Sequence, residues 1–207
     1  MLVQARQRLD DQRVRELIRA HPWATLITHG AGGTIASHMP AILDEDRSER
    51  LVVLTHTARA DPQRARLEAG AELLVVFQGE HGFLPGAWEG GDGVAVGTWN
   101  FEAAHVHGRP QTLDREASLG LLRRTFEHLE ARRARPTPWA AVEEIAERLV
   151  AGTCCVRVVA DRVEAKAKLG EGKSAEVRTR LIAGLEHPGP YHRPELAARM
   201  RATLGRE

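Results

Sequence analysis

The sequence predicts an α+β protein, an antiparallel β-barrel with helical cover. Two observations carry that expectation. The first half is a succession of short β-type runs broken by turn residues. Much of the second half instead repeats apolar residues at three- and four-residue spacing. Many short antiparallel strands interrupted by a few helices favour a barrel.

In order, Asp10 can cap an opening helix in which Val14, Leu17 and Ile18 recur before His21-Pro22 ends it. Trp23 to Thr28 and Thr34 to Leu43 read as strands joined through Gly30-Ala31-Gly32-Gly33, a hairpin signal. Leu51 to Thr57 is a third strand. Ala60 to Ala69 reads as a helix stopped by Gly70. Leu73 to Gln78 is a fourth strand, and Val94 to Arg109 holds at least one more. Leu119, Leu122, Phe126 and Leu129 then predict one buried helix face, and Val142, Ile145 and Leu149 another. Thr153 to Glu164 returns to strand. Val177, Leu181, Ile182 and Leu185 mark a further helix, and Pro194 to Leu204 ends the chain helically. We expect a single domain over 1–207, with a helical extension from about residue 165.

Composition bounds the function. With 207 residues, 43% apolar and 28% charged, the chain can bury a core without disulfides or a structural metal. A net charge of +1 excludes a strong overall pull toward nucleic acid or anionic lipid. The two cysteines are adjacent, Cys154 and Cys155, and cannot supply a C-x-x-C bite. They read as strand residues of a protein in a reducing compartment. The N-terminal stretch lacks a signal peptide's apolar core, and no apolar run approaches the roughly 20 residues that span a bilayer. A cytoplasmic location is expected.

Several groups are candidates for chemistry. Gly170-Glu171-Gly172-Lys173-Ser174 ends like a phosphate-binding loop, yet Ala167 stands where that motif needs glycine, so no nucleotide hydrolase is expected. Lys168, Lys173 and Ser174 can still meet a phosphate or carboxylate at a helix N-terminus; a solvated loop fits equally. His105 and His107 sit two apart on a strand and emerge on one face, without a third metal ligand at recognisable spacing. His38 and His56 lie in or beside strands. The basic runs Arg123-Arg124 and Arg132-Arg133 read as a solvated helix face, and no DNA-reading helix stands out. Pro85 to Val96, with Gly86, Gly90, Gly91 and Gly93, is a mobile lid or a surface loop.

Longer motifs add a resemblance. Leu74-Val75-Val76-Phe77-Gln78-Gly79-Glu80-His81, Trp88, Gly97-Thr98-Trp99-Asn100-Phe101 and Ala104-His105-Val106-His107-Gly108 follow one another as in the PaiB-like family. Ser37-His38-Met39-Pro40 and Thr55-His56-Thr57-Ala58-Arg59-Ala60-Asp61-Pro62-Gln63 resemble its upstream motifs, and Lys168-Leu169 its downstream one. Departures are Arg64 for a tryptophan, Asp61 for an asparagine, Glu80 for a proline, Gly82 for an aromatic and Glu89 for a tyrosine. Gly170-Glu171-Gly172 replaces the rest of the K-L-S-Q-N box.

The resemblance implies an FMN-binding split barrel of flavin-reductase type, dimeric, with its cofactor at the subunit interface. Its members are described as FMN-binding negative transcriptional regulators. A similar group, the piperazate synthases, uses haem to close N5-hydroxyornithine through a nitrogen–nitrogen bond. Because the aromatic and amide groups have changed while the histidines remain, the leading expectation is a haem b enzyme acting on a small amino-acid-like substrate. His56 would be the axial iron ligand, with His38, His105 or Glu89 as general base. Arg59 and Arg64 would pair with propionates or substrate carboxylate, and equally with an FMN phosphate. The resemblance extends the cofactor site to Gln78, Trp88, Trp99, Asn100, His107, Lys168 and Lys173. An FMN-binding regulator that contacts DNA, or a flavin reductase, is the alternative.

Overall fold

The computed structural model describes residues 1–45, 50–90 and 95–205. Its strands are β1 (Trp23–Gly30), β2 (Gly33–Leu43), β3 (Val52–Ala58), β4 (Leu73–Leu84), β5 (Thr98–Thr112) and β6 (Thr153–Lys168). Its helices are α1 (Asp11–Ala20), α2 (Arg64–Glu68), α3 (Arg115–Glu130), α4 (Glu143–Leu149), α5 (Ala175–Glu186) and α6 (Pro194–Arg201). The ladder runs β1-β2-β3-β6-β5-β4 and closes as a barrel. No helix among the described residues is long and apolar enough to cross a membrane.

The chain divides into two compact units: a central one of residues 18–77 and 105–163, and a terminal one of 1–17, 78–104 and 164–207. In the central unit the β1–β2 hairpin turns through Ala31-Gly32, with Gly30 opposite Gly33. Gly33 holds φ at +88°, a conformation that favours glycine. Ala24 and Leu26 of β1 lie opposite Phe77 and Val75 of β4, and all four are buried. Strand β3 joins β2 on one side and β6 on the other. Past β3 the chain is held by Gln63, which is wholly buried. The Gln63 amide donates to the Leu26 carbonyl at 2.8 Å and accepts from the Thr28 hydroxyl at 3.3 Å. Asp61 accepts from the Gln63 backbone N–H at 2.7 Å and from the Ser37 hydroxyl at 3.0 Å. These bonds fix the route from His56 to α2.

Helix α3 starts at Asp114, whose carboxylate accepts from the Ala117 N–H at 2.8 Å. Its buried face is Ser118, Leu121 and Thr125. Of the expected stripe of Leu119, Leu122, Phe126 and Leu129, Leu122 packs partly buried against the core and Phe126 meets Trp139, but Leu129 is exposed, so the face is centred one residue away from the expectation. Leu121 packs with Ile42, Leu54 and Cys155. The expected face of α4 is also corrected: Ile145 is 48% and Leu149 62% exposed. Asp44, nearly buried, receives Arg124 at 2.8 Å and Arg157 at 3.4 Å. Burial would raise its carboxyl pKa, but the two guanidiniums overcome this and hold it below the ordinary value.

In the terminal unit α5 and α6 supply the core: Leu181, Ile182, Leu185, Leu196, Ala197 and Met200. Glu102 of β5, with 2% of its side chain exposed, takes two bonds of 2.8 Å from Arg199 of α6. Strand β4 continues past the expected end at Gln78 as far as Leu84. At Gly79 a Cβ would stand 2.8 Å from Leu17 Cδ1 and 3.1 Å from Glu102 Cβ, so the glycine admits close packing there. Strand β6 also outruns its expected end at Glu164. It buries Cys154, Val156, Val158 and Ala160 in the central unit, then Ala165 and Ala167 in the terminal one, with Asp161, Arg162 and Val163 exposed in between.

Candidate functional site

The central unit holds His38, His56, Arg59, Arg64, His105 and His107. His56 lies opposite Cys155 in the β3–β6 pair, so its side chain shares the face that carries Leu54 and Cys155. The ring is partly buried, and its Nδ1 is sealed from solvent with no hydrogen-bond partner. Burial lowers the His56 pKa, which keeps the imidazole neutral at pH 7. A neutral ring is the form that ligates a metal or hydrogen-bonds a cofactor.

Immediately after β3 the Arg59 N–H bonds the Gly152 carbonyl at 2.7 Å, which brings Arg59 to the start of β6. Arg59, Glu68, Arg115, Ser118, Thr153 and Cys154 line a groove of about 530 Å³. Arg64 reaches Glu68 at 2.8 Å. Burial raises the Cys154 pKa, aided by Glu68 and Cys155 and opposed by Arg64 and Arg59, so the thiol stays protonated. The cysteines are thereby wall residues of a groove with three arginines on or beside it. Sequence reasoning found Arg59 and Arg64 there. It missed Arg115 and Ser118, which lie about fifty positions along the chain with no local motif to mark them.

His105 and His107 emerge on the less buried face of β5, as their spacing predicts. His107 Nδ1 lies 3.2 Å from Arg162 and 3.8 Å from Glu72. His38 is exposed, meets the Thr25 hydroxyl at 3.1 Å through Nδ1, and stacks near Trp23. Among the described residues no group of three or more His, Cys, Asp or Glu can hold a metal ion, so a bare metal site is absent there.

The terminal unit holds the remaining candidates. Gln78 is exposed. Trp99 is 50% exposed and stacks on His81 with ring centres 5.9 Å apart. Asn100 is buried, donates to Met200 Sδ at 3.5 Å, and leaves its Oδ1 without a partner. Trp88 packs over Gly184 and against Tyr191. Glu89 forms an ion pair with Lys173 at 2.6 Å, and Arg180 donates to its carbonyl. Lys168 donates to the Thr98 hydroxyl. Of the expected lid, Gly86–Glu89 is a short 3-10 helix; residues 91–94 lie outside the described residues.

A family model described as "Putative FMN-binding domain" matches residues 1–162. The chain belongs to this FMN-binding family. Over 197 residues it is 22% identical to the Bacillus subtilis (strain 168) protease synthase and sporulation protein PAI 2, covering 95% of this chain and 94% of that protein. The chain is thus a PaiB homologue along nearly its whole length, and the motif resemblance holds. Its fold is similar to that of the FAD and heme binding protein from Mycobacterium smegmatis, with a TM-score of 0.60, 17% identity and coverage of 84% of this chain and 78% of that one. It is also similar to the flavocytochrome Anf3 from Azotobacter vinelandii, with a TM-score of 0.58, 16% identity and coverage of 86% and 78%. The architecture is the flavin-binding split barrel expected from the motifs.

Proposed function

We propose that this FMN-binding family member is a cytoplasmic, homodimeric flavoprotein with FMN as its redox cofactor. The observation that carries the reading is the groove at the exit of β3, where Arg59 and Arg115 line the wall beside two acids that already have partners, Glu68 paired with Arg64 and Asp114 capping α3. That donor set fits a phosphate: planar guanidiniums bind its oxygens through paired N–H bonds. Arg59 would bind and orient the phosphate, and Ser118 and Thr153 would add neutral donors. FMN, when bound, supplies reversible electron transfer. His56, neutral and short of a partner at Nδ1, would hydrogen-bond the cofactor from the same strand. A purely DNA-binding role has less support, since the net charge is +1 and no reading helix is visible.

A second reading is haem, and His56 favours it. The neutral His56 imidazole would hold the haem iron, and the solved split barrels similar to this chain include a protein that binds FAD and heme. Under that reading the substrate would be an N-hydroxylated amino acid whose internal amine displaces the N-hydroxyl oxygen, so that the N–N bond forms as the N–O bond breaks and the oxygen leaves as water. The haem would supply a Lewis acid, and His105 or His38 would take the amine proton. Glu89 is the weaker base because Lys173 already holds it.

Titration of the purified protein with FMN and, separately, with haemin tests both readings by visible absorption. Saturation with one FMN per protomer, weakened at least about tenfold in Arg59→Ala, supports the flavoprotein. A Soret band that His56→Ala abolishes supports the haem enzyme. A protein that takes up neither defeats both.

A further inference from the structure

A second polar cavity lies wholly within the terminal unit and shares no residue with the groove at Arg59. It measures about 550 Å³, and Arg6, Arg8, Arg13, Lys173, Ser174 and Arg178 are among its lining residues. Glu171 is its one acid. Even with Lys173 paired to Glu89, four arginines face a single carboxylate. Such a surplus of positive charge attracts an anion.

The cavity is built around the start of α5. The loop reaches it through Gly170 and Gly172, with φ of +91° and +84°, values that glycine tolerates without strain. A Cβ at Gly172 would stand 2.8 Å from the Arg6 Nη1, so the glycine lets the guanidinium lie against the loop. Ser174 caps the helix, accepting from the Val177 N–H at 3.3 Å. The first-turn amides of Ala175 and Glu176 have no acceptor within the helix, and the helix dipole adds positive potential there.

Two further atoms point to a ligand. Arg178 is only 4% exposed. Its terminal nitrogens bond the Thr203 and Met200 carbonyls and the Thr203 hydroxyl, yet its Nε is buried with no acceptor. Glu171 anchors the loop by accepting from the Leu169 N–H at 2.9 Å through Oε1, while its Oε2 is buried with no donor. A leftover donor, a leftover acceptor and a cluster of cations line one cavity. An anion that also carries a proton satisfies all of them.

We propose that this cavity is a binding site for a phosphate group that retains a hydroxyl, either free phosphate or the phosphate of a monoester. Arg6, Arg8, Arg13 and the α5 amides take the oxygens, and Glu171 accepts from the P–OH group. Sulfate has the same shape but carries no proton at neutral pH. It therefore meets Glu171 as a like charge and is rejected.

Isothermal titration of the full chain with inorganic phosphate, AMP and sulfate tests this at pH 6.5. Saturable binding of phosphate or AMP, with sulfate at least about tenfold weaker, is the expected result. Phosphate alone identifies the free ion, and AMP alone a monoester; either supports the site. The exposed pair Arg6→Ala/Arg8→Ala should weaken binding about tenfold or more, and Glu171→Gln should narrow the gap to sulfate. Arg6→Ala/Arg8→Ala should leave the FMN titration unchanged, and in an Arg59→Ala background that has lost FMN the same pair should still weaken phosphate or AMP, which separates this site from the flavin reading. The site is overturned if neither phosphate nor AMP saturates, if sulfate matches phosphate, or if the folded Arg6→Ala/Arg8→Ala protein binds like the parent.

Discussion

Removing Arg199 is the sharpest test of what holds α6 to the barrel strand β5. Glu102 keeps only 2% of its side-chain surface in solvent and is met by two Arg199 nitrogens at 2.8 Å each. In Arg199→Ala that carboxylate would stay sealed and charged without its partner. Breaking a buried pair from one side costs about 3–5 kcal/mol. Arg199 itself is 40% exposed, so water can reach that end of the pair, and we take the lower end of the range, about 3 kcal/mol. With a urea m-value of about 2 kcal/mol/M, the midpoint should fall by roughly 1.5 M. The double variant Glu102→Leu/Arg199→Met removes both charges and should recover all but about 1 kcal/mol. Urea unfolding followed by tryptophan fluorescence measures both. The reasoning fails if Arg199→Ala unfolds within about 0.5 kcal/mol of the parent, or if the double variant is no better than the single.

Two pH effects follow from the shifted groups. His56 has a folded pKa below the ordinary value near 6.5, because burial disfavours its charged form. The unfolded chain therefore binds the proton first, so the neutral ring's contribution is complete above about pH 6.5 and is lost as pH falls through the folded pKa. NMR titration of the His56 ring should place its midpoint below 6.5; a midpoint above that removes the argument. Asp44 also titrates low in the folded protein. Burial works against this, and Arg124 and Arg157 outweigh it. Its stabilisation is present above about pH 3.9 and disappears as pH falls through the folded pKa. Arg124→Ala should move the acid-unfolding midpoint, read by circular dichroism, to higher pH; an unmoved midpoint would show that Asp44 is not held by this pair.

The hairpin of β1 and β2 was readable because its signal is local, with glycines at the turn and alternating apolar residues on either side. The long strands β4 and β6 outrun their local signals for a related reason. Gly79 and Gly82 look like breakers in isolation, yet in β4 Gly79 is where Leu17 and Glu102 pack close, and the alternation resumes beyond it. The face of α3 sits one residue from the stripe of large apolar side chains because small Ser118 and Thr125 share the buried side with Leu121. The contact with Leu54 and Cys155 is made by Leu121, with Ser118 and Thr125 on the same buried face. For the site, the β3 motif led directly to His56, Arg59 and Arg64. The phosphate-like loop at Gly170–Ser174 was visible too. Arg6, Arg8 and Arg178 were not, because only the return of the N-terminal segment alongside β6, through the Arg8–Lys166 bridge, assembles them around it.

Strand β6 sets a rule for how this chain can change length. Apart from Cys155, which is buried on the opposite face with Leu54 and Leu121, its buried side chains fall on even positions up to Ala160 and on odd positions from Ala165, with the change made inside the exposed triplet Asp161-Arg162-Val163. A strand alternates faces at every residue, so inserting or deleting a single residue in the triplet would turn Ala165 and Ala167 outward and Lys166 and Lys168 inward. A change of two residues would keep every side chain on its own face. Natural and engineered indels at this point should therefore come in pairs, although the triplet is exposed and would otherwise look freely variable.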